Sequence, residues 1–297
     1  MDNAAHAVER GETGAYEVLR PTGQSLPLVL ASPHSGTAYA PEFLAASRLD
    51  GTTLRKSEDS FVDEIFARAP DLGAPLIRAL FPRAFLDVNR EAFELDPDMF
   101  ADPLPAYVNT RSPRVVAGLG TVARIVASGE EIYRGKLRFA EALGRIERLY
   151  HPYHSALRAM LDETRRRFGY AILLDCHSMP SAGSPAERPP GRLRVDFVLG
   201  DCYGSACGLA IVETAERYLR GLGYTVIRNT PYAGGFTTRH YGRPNAGQHA
   251  LQIEINRALY MDEQTMTRKP YLPILTGHMA GLIQAIGHVQ PAAAGGR

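Results

Sequence analysis

Two short apolar runs, each ending abruptly in a histidine-bearing turn, constrain this chain more than any other feature of its sequence. LPLVLASPHSG (residues 26–36) and YAILLDCHSMP (residues 170–180) follow one plan, an apolar stretch and then a histidine and a serine among small residues and prolines. An apolar run this short, bounded by turn-formers, is how a strand buried on both faces reads, so a parallel sheet covered by helices is expected. His34 and His177 should then emerge at strand C-terminal ends, the edge at which open α/β sheets bind ligands. Two imidazoles delivered to one edge from distant parts of the chain are a candidate pair of metal ligands in need of a carboxylate.

Further strand candidates lie at residues 75–80, 84–88, 195–199, 224–228 and 250–256, with 26–32 and 170–175 as the first two already named. Helix-like segments such as 59–69, 131–168 and 206–221 separate them, with Pro152 expected to kink or restart the second. Strands alternating with helices predict a mixed, mostly parallel sheet covered on both faces. No repeat, Gly/Ser linker or composition break divides the 297 residues, so one domain is expected. Its bounds read as 25–290, after an N-terminal extension over 1–24 and before a flexible tail over 291–297. Residues 96–120 and 180–194 read as loops bordering the site.

With 33 basic against 32 acidic residues, nothing suggests a polyanion-binding surface, and nucleic acid is not an expected partner. No apolar run reaches the roughly 18 residues of a membrane span, and the N-terminus lacks the basic segment and apolar core of a secretory leader. A cytoplasmic protein is the resulting expectation. Three cysteines without CxxC spacing argue against a disulfide framework and against a thiolate zinc site.

Three carboxylate sources are candidates. SEDSFVDEIF (57–66) begins like a helix, with Ser57 as N-cap and Glu58, Asp59, Asp63 and Glu64 in the first turns, where the helix dipole alone would favour acids. HALQIEINRALY (249–260) sets Gln252, Glu254 and Asn256 on one strand face and apolar residues on the other. A glutamate in the middle of such a strand is costly unless paired, metal-bound or facing a wet cleft. Asp175 shares a strand face with His177 and suits support of a ligand better than ligation. FLDVNREAFELDP (85–97) brings Asn89 and Arg90 to another strand end, where a guanidinium can hold a carboxylate by two parallel bonds. GGFTTRHYGRP (234–244) clusters Arg239, His240 and Arg243 after paired glycines, and the two histidines of HPYH (151–154) lack a neighbouring carboxylate.

PHSG, the Glu58-Asp59 segment through Asp63, DVNR, DCHS, GGFTTRHYGRP and HALQIEINRALYMDE occur in the order found in N-formylglutamate amidohydrolases, which the chain resembles from about residue 25 to residue 265. The resemblance implies an α/β/α sandwich around a mixed eight-stranded sheet, a phosphorylase/hydrolase-like fold similar to that of zinc carboxypeptidases and aspartoacylases. It also implies hydrolysis of N-formyl-L-glutamate to formate and glutamate, an activity of histidine degradation, with Zn2+ as cofactor. By resemblance His34 and His177 are zinc ligands, DVNR is similar to the carboxylate-recognising DLNR-type segment of aspartoacylases, and Glu254 stands at the catalytic glutamate's place. One departure is Thr37, where carboxypeptidases carry a ligating glutamate three residues after the first histidine. Asp59 is the expected substitute, with Glu58 open. On this reading Arg90 with Asn89 binds one carboxylate of a small dianionic N-acyl amino acid, and Arg239, beside His240, binds the other or steadies an oxyanion. The rivals are an amidohydrolase for another N-acyl amino acid, a non-catalytic metal or amino-acid binding protein, and a cysteine hydrolase built on Cys176.

Overall fold

The computed structural model describes residues 7–181 and 195–291. Its centre is an eight-stranded sheet formed by β1 (Ala7–Arg10), β2 (Tyr16–Arg20), β3 (Leu28–Ser32), β4 (Leu76–Ala79), β5 (Ala171–Met179), β6 (Phe197–Gly200), β7 (Val226–Arg228) and β8 (Gln248–Asn256). The spatial order is β1-β2-β4-β3-β5-β8-β6-β7. The pairs β3–β4, β3–β5, β5–β8 and β6–β7 are parallel, and β1–β2, β2–β4 and β6–β8 are antiparallel. This is the expected mixed sheet.

Helices cover both faces: α1 (Pro41–Ala46), α2 (Gly51–Arg55), α3 (Val62–Ile65), α4 (Pro113–Val116), α5 (Phe139–Arg145), α6 (His151–Phe168), α7 (Leu209–Gly221), α8 (Phe236–Tyr241) and α9 (Leu272–Gly287). Alternate residues of β3 feed two cores. Val29 and Ala31 pack with α6 residues such as Tyr153 and Leu157, whereas Leu28 and Leu30 pack with α3, α7 and α9 through Ile65, Ile211 and Ile283. Every residue of β3, β5 and β8 is buried, which is why β3 and the first half of β5 are apolar runs, while β8 buries polar residues on one face and apolar ones on the other.

Four sequence expectations need correction or extension. Residues 84–88 form a turn rather than a strand: Phe85 N–H donates to Pro82 O (2.9 Å), Asp87 N–H donates to Thr121 O (2.8 Å), and Leu86 and Val88 are buried from a loop. The helix expected over 59–69 is reduced to α3, entered through Phe61 at φ 66°, and Ser57 accepts a bond from Ala127 N–H instead of capping it. Helix over 131–168 begins only at Phe139, and a π turn at Ile146–Tyr150 joins α5 to α6 just ahead of Pro152. Residues 7–20, read as part of an extension, contribute two strands to the sheet, with β2 paired to β4. The loop expected over 180–194 and the tail over 291–297 lie almost wholly outside the described residues.

Candidate metal centre and active site

β3 delivers His34 through a turn braced by short polar contacts. Ser32 Oγ and Ser35 Oγ lie 2.6 Å apart, Ser35 donates to Asp59 O (3.0 Å), and Asp59 N–H donates to His34 O (3.0 Å). Gly36 sits so close to the Leu80–Phe81 backbone that a Cβ would come within 2.2 Å of Phe81 O, so glycine is needed there to close the turn. His177 arrives on β5, directly opposite Glu254 of β8 in the parallel register.

These elements bring three donor atoms face to face. Asp59 Oδ2 lies 3.2 Å from His34 Nδ1 and 3.0 Å from His177 Nδ1, and the two Nδ1 atoms are 3.2 Å apart. The far nitrogens are engaged by carboxylates: His34 Nε2 lies 2.7 Å from Asp87 Oδ1, and His177 Nε2 lies 2.8 Å from Asp175 Oδ1. With Nε2 bonded to a carboxylate, each imidazole in its neutral form turns its Nδ1 lone pair toward the Asp59 oxygen. Three converging lone pairs repel unless a positive charge lies among them. Their spacing is close to the ~3.3 Å edge expected for a tetrahedral site with zinc-like bond lengths, and carboxylate-backed histidines are the usual support of such sites. All three side chains are buried and together satisfy a metal-site donor set. Burial opposes charge on Asp59, but His177 and His34 outweigh it and hold the carboxyl well below its ordinary range.

The centre opens into a cleft of about 840 Å³, lined also by Glu254, Asn89, Arg90, Arg83, Arg114 and Arg257. That volume lies within the ordinary range for small-molecule sites. Glu254 Oε1 accepts from Gln252 Nε2 (2.8 Å). Burial pushes its carboxyl up to about 8, with His177 and Arg83 pulling it down and Asp59 and Asp175 raising it further.

Asp87 links the candidate metal centre to the cationic wall. Its Oδ1 accepts from His34 and from Asn89 N–H (2.8 Å), and its Oδ2 meets Arg83 Nη2 at 2.7 Å and Arg90 Nη2 at 3.5 Å. Burial resists its ionisation, yet Arg83, Arg90 and His34 hold it well below the usual carboxylate range. The Arg90 guanidinium is fixed by Leu119 O (2.9 Å) and Asn89 O (2.8 Å).

Of the residues singled out in the sequence, His34, Asp59, His177, Asn89, Arg90 and Glu254 share this cleft. Glu58 points elsewhere, its carboxylate taken by Arg55, Tyr39 and Ser60. Arg239 is exposed on α8, and His240 stacks on Phe236 (4.8 Å between centroids) with Arg158 Nη2 at 2.7 Å; neither lines the cleft. Cys176 is fully buried, its thiol pushed up by burial and donating to Leu174 O, which leaves it no role as a nucleophile. Asp87, Arg83, Arg114 and Arg257 were not singled out in the sequence. Asp87 had a local signal, two residues before Asn89 at the same chain reversal; Arg257 had only its place beside the polar strand face.

The family model for N-formylglutamate amidohydrolase matches residues 26–261. The chain belongs to the N-formylglutamate amidohydrolase family. It is 30% identical over 241 residues to an N-formylglutamate deformylase of Pseudomonas putida, spanning 80% of this chain and 83% of that protein. It is 31% identical over 251 residues to one of Pseudomonas aeruginosa, covering 84% and 87%. Among solved structures, the N-formylglutamate amidohydrolase of Ralstonia eutropha JMP134 superposes with a TM-score of 0.86 at 37% identity, over 92% of this chain and 97% of that one. A protein of Agrobacterium tumefaciens shares the fold, with a TM-score of 0.64 at 20% identity over 92% and 94% of the two chains. The family match ends a few residues past Glu254 and Arg257, so it encloses every cleft residue discussed above.

Proposed function

We propose that this family member hydrolyses N-formyl-L-glutamate to formate and L-glutamate with zinc held by His34, Asp59 and His177. The observation that carries this reading is the triad of inward-facing donors beside a buried glutamate, in a cleft walled by arginines. Zinc at such a site supplies a Lewis acid for the formyl oxygen and lowers the pKa of a water toward about 7.

The chain's own residues account for the rest. Asp87 and Asp175 hold the two imidazoles in the ligating tautomer. Glu254 takes a proton from the attacking water and returns it to the departing nitrogen, so the amine leaves neutral; a carboxyl raised by burial suits both halves of that transfer. Arg90, its plane set by two backbone carbonyls, offers remaining Nη hydrogens to one substrate carboxylate, with the Asn89 amide beside it. Arg239 and His240 stand off the cleft, so on this reading the second carboxylate meets Arg114 of α4, which lines the rim close enough to Arg90 to oppose its charge. The expected setting is a cytoplasmic step of histidine degradation.

A panel of N-formyl and N-acetyl amino acids, assayed for amine release by zinc-loaded protein, tests the proposal. N-formylglutamate should be the best substrate by kcat/KM. Equal or faster turnover of an N-acetyl compound would favour an amidohydrolase for another N-acyl amino acid, and turnover of none would favour a binding protein.

A further inference from the structure

The two oxygens of Asp59 have separate duties. Oδ2 faces the histidines, while Oδ1 accepts from Ser178 Oγ (3.0 Å) and from Arg257 Nη2 (3.1 Å). Arg257 also donates through Nε to Ser178 Oγ (3.0 Å) and through Nη1 to Lys56 O (3.1 Å), so one guanidinium closes a ring of contacts around Asp59. The end of β8 sets it there: Asn256 Oδ1 accepts from Ala258 N–H (3.0 Å) and turns the chain, and Arg257 folds back beside Ser178 with its side chain 8% exposed. A buried guanidinium next to a candidate cation site is electrostatically adverse, because the two positive charges must share one carboxylate. A merely structural brace for Lys56 O would need no second charge.

We propose that Arg257, with Ser178, is a positioning residue that restricts Asp59 to a single metal-facing oxygen and withdraws part of its negative charge from the metal. Were Oδ1 free, the carboxylate could turn to offer both oxygens and occupy the side of the ion on which water and the formyl oxygen must arrive. Holding Oδ1 keeps that side open and leaves a more electropositive centre, which suits a dianionic substrate. The proposal rests on the metal centre proposed above and adds to it how that centre keeps its reactive face.

The experiment compares wild type with Arg257→Gln for zinc affinity, by competition with a chromophoric chelator, and for zinc coordination number, by X-ray absorption of the loaded proteins. Arg257→Gln should show a coordination number raised by one and zinc affinity equal to or tighter than wild type, with KM for N-formylglutamate unchanged at saturating zinc. Unaltered coordination would overturn the proposal, as would weaker zinc binding, and a raised KM at unaltered coordination would make Arg257 a substrate ligand instead. Should Arg257→Gln fail to fold, Ser178→Ala carries the test: a raised coordination number supports the proposal, and an unaltered one overturns it. A wild type that binds no zinc would sink the centre itself, whereas equal coordination in wild type and variant removes only the role of Arg257.

Discussion

Glu254 and Asp59 are both buried carboxylates, yet their surroundings push them in opposite directions, and that difference assigns their work. Asp59 is surrounded by donors and stays ionised, whereas Glu254 has one amide partner and a carboxyl raised to about 8 by burial. Glu254→Gln should therefore keep fold and zinc while kcat falls roughly 10²- to 10⁴-fold, the usual worth of a positioned acid–base group. Metal content measured beside kcat decides the matter, since joint loss would make Glu254 a ligand. Asp59→Ala should lose zinc, and Glu58→Gln should keep it, because Glu58 is spent on Arg55, Tyr39 and Ser60. For substrate charge, Arg114→Ala should narrow the preference for N-formylglutamate over N-formylglutamine by about tenfold, as expected for one charge-assisted contact. An unchanged ratio of kcat/KM values would free Arg114 from that role. The histidines were legible in the sequence because each ends an apolar run in a sharp turn. Arg257 was not, because its meaning depends on Asp59, nearly two hundred positions away.

α6 and α8 are joined by a neutral histidine. His154 Nε2 lies 2.8 Å from Val88 O, which can only accept, and Nδ1 lies 2.9 Å from the Tyr241 hydroxyl. Burial lowers its pKa from 6.5 to about 4, against the opposing pull of the Val88 bond. Between those values the unfolded chain binds a proton that the folded one refuses, so stability is full above 6.5 and is lost as pH falls toward 4. From pH 7 to 5 the loss should be about 2 kcal/mol, and His154→Gln should flatten that part of the curve in denaturant titrations. A variant as pH-sensitive as wild type would refute the assignment. Legibility at this scale followed burial: β3, β5 and β8, buried on both faces, read clearly. β1, exposed along its whole length, did not, and Leu86 and Val88 read as strand although a turn buries them, because burial alone leaves no period to distinguish the two.

The whole molecule gathers its candidate metal ligands from three stretches, after β3, ahead of α3 and on β5, so the group comes together only when the sheet has formed. Zinc should bind the folded chain almost exclusively, and at a thousandfold excess over its dissociation constant should add about 4 kcal/mol of stability, roughly 8 °C in Tm. Thermal melts with and without a chelator measure this; coincident melts would argue against a metal centre in the folded protein. Burial opposes charge on His177, but Asp175 and Asp59 outweigh it and hold the imidazole well above its ordinary range, so without a metal a proton takes the cation's place and a weaker tie joins the ends of β3 and β5. Amide hydrogen exchange should therefore quicken first at the C-terminal ends of β3 and β5 when metal is stripped, a pattern inverse to the fraying of edges that ordinary sheets display.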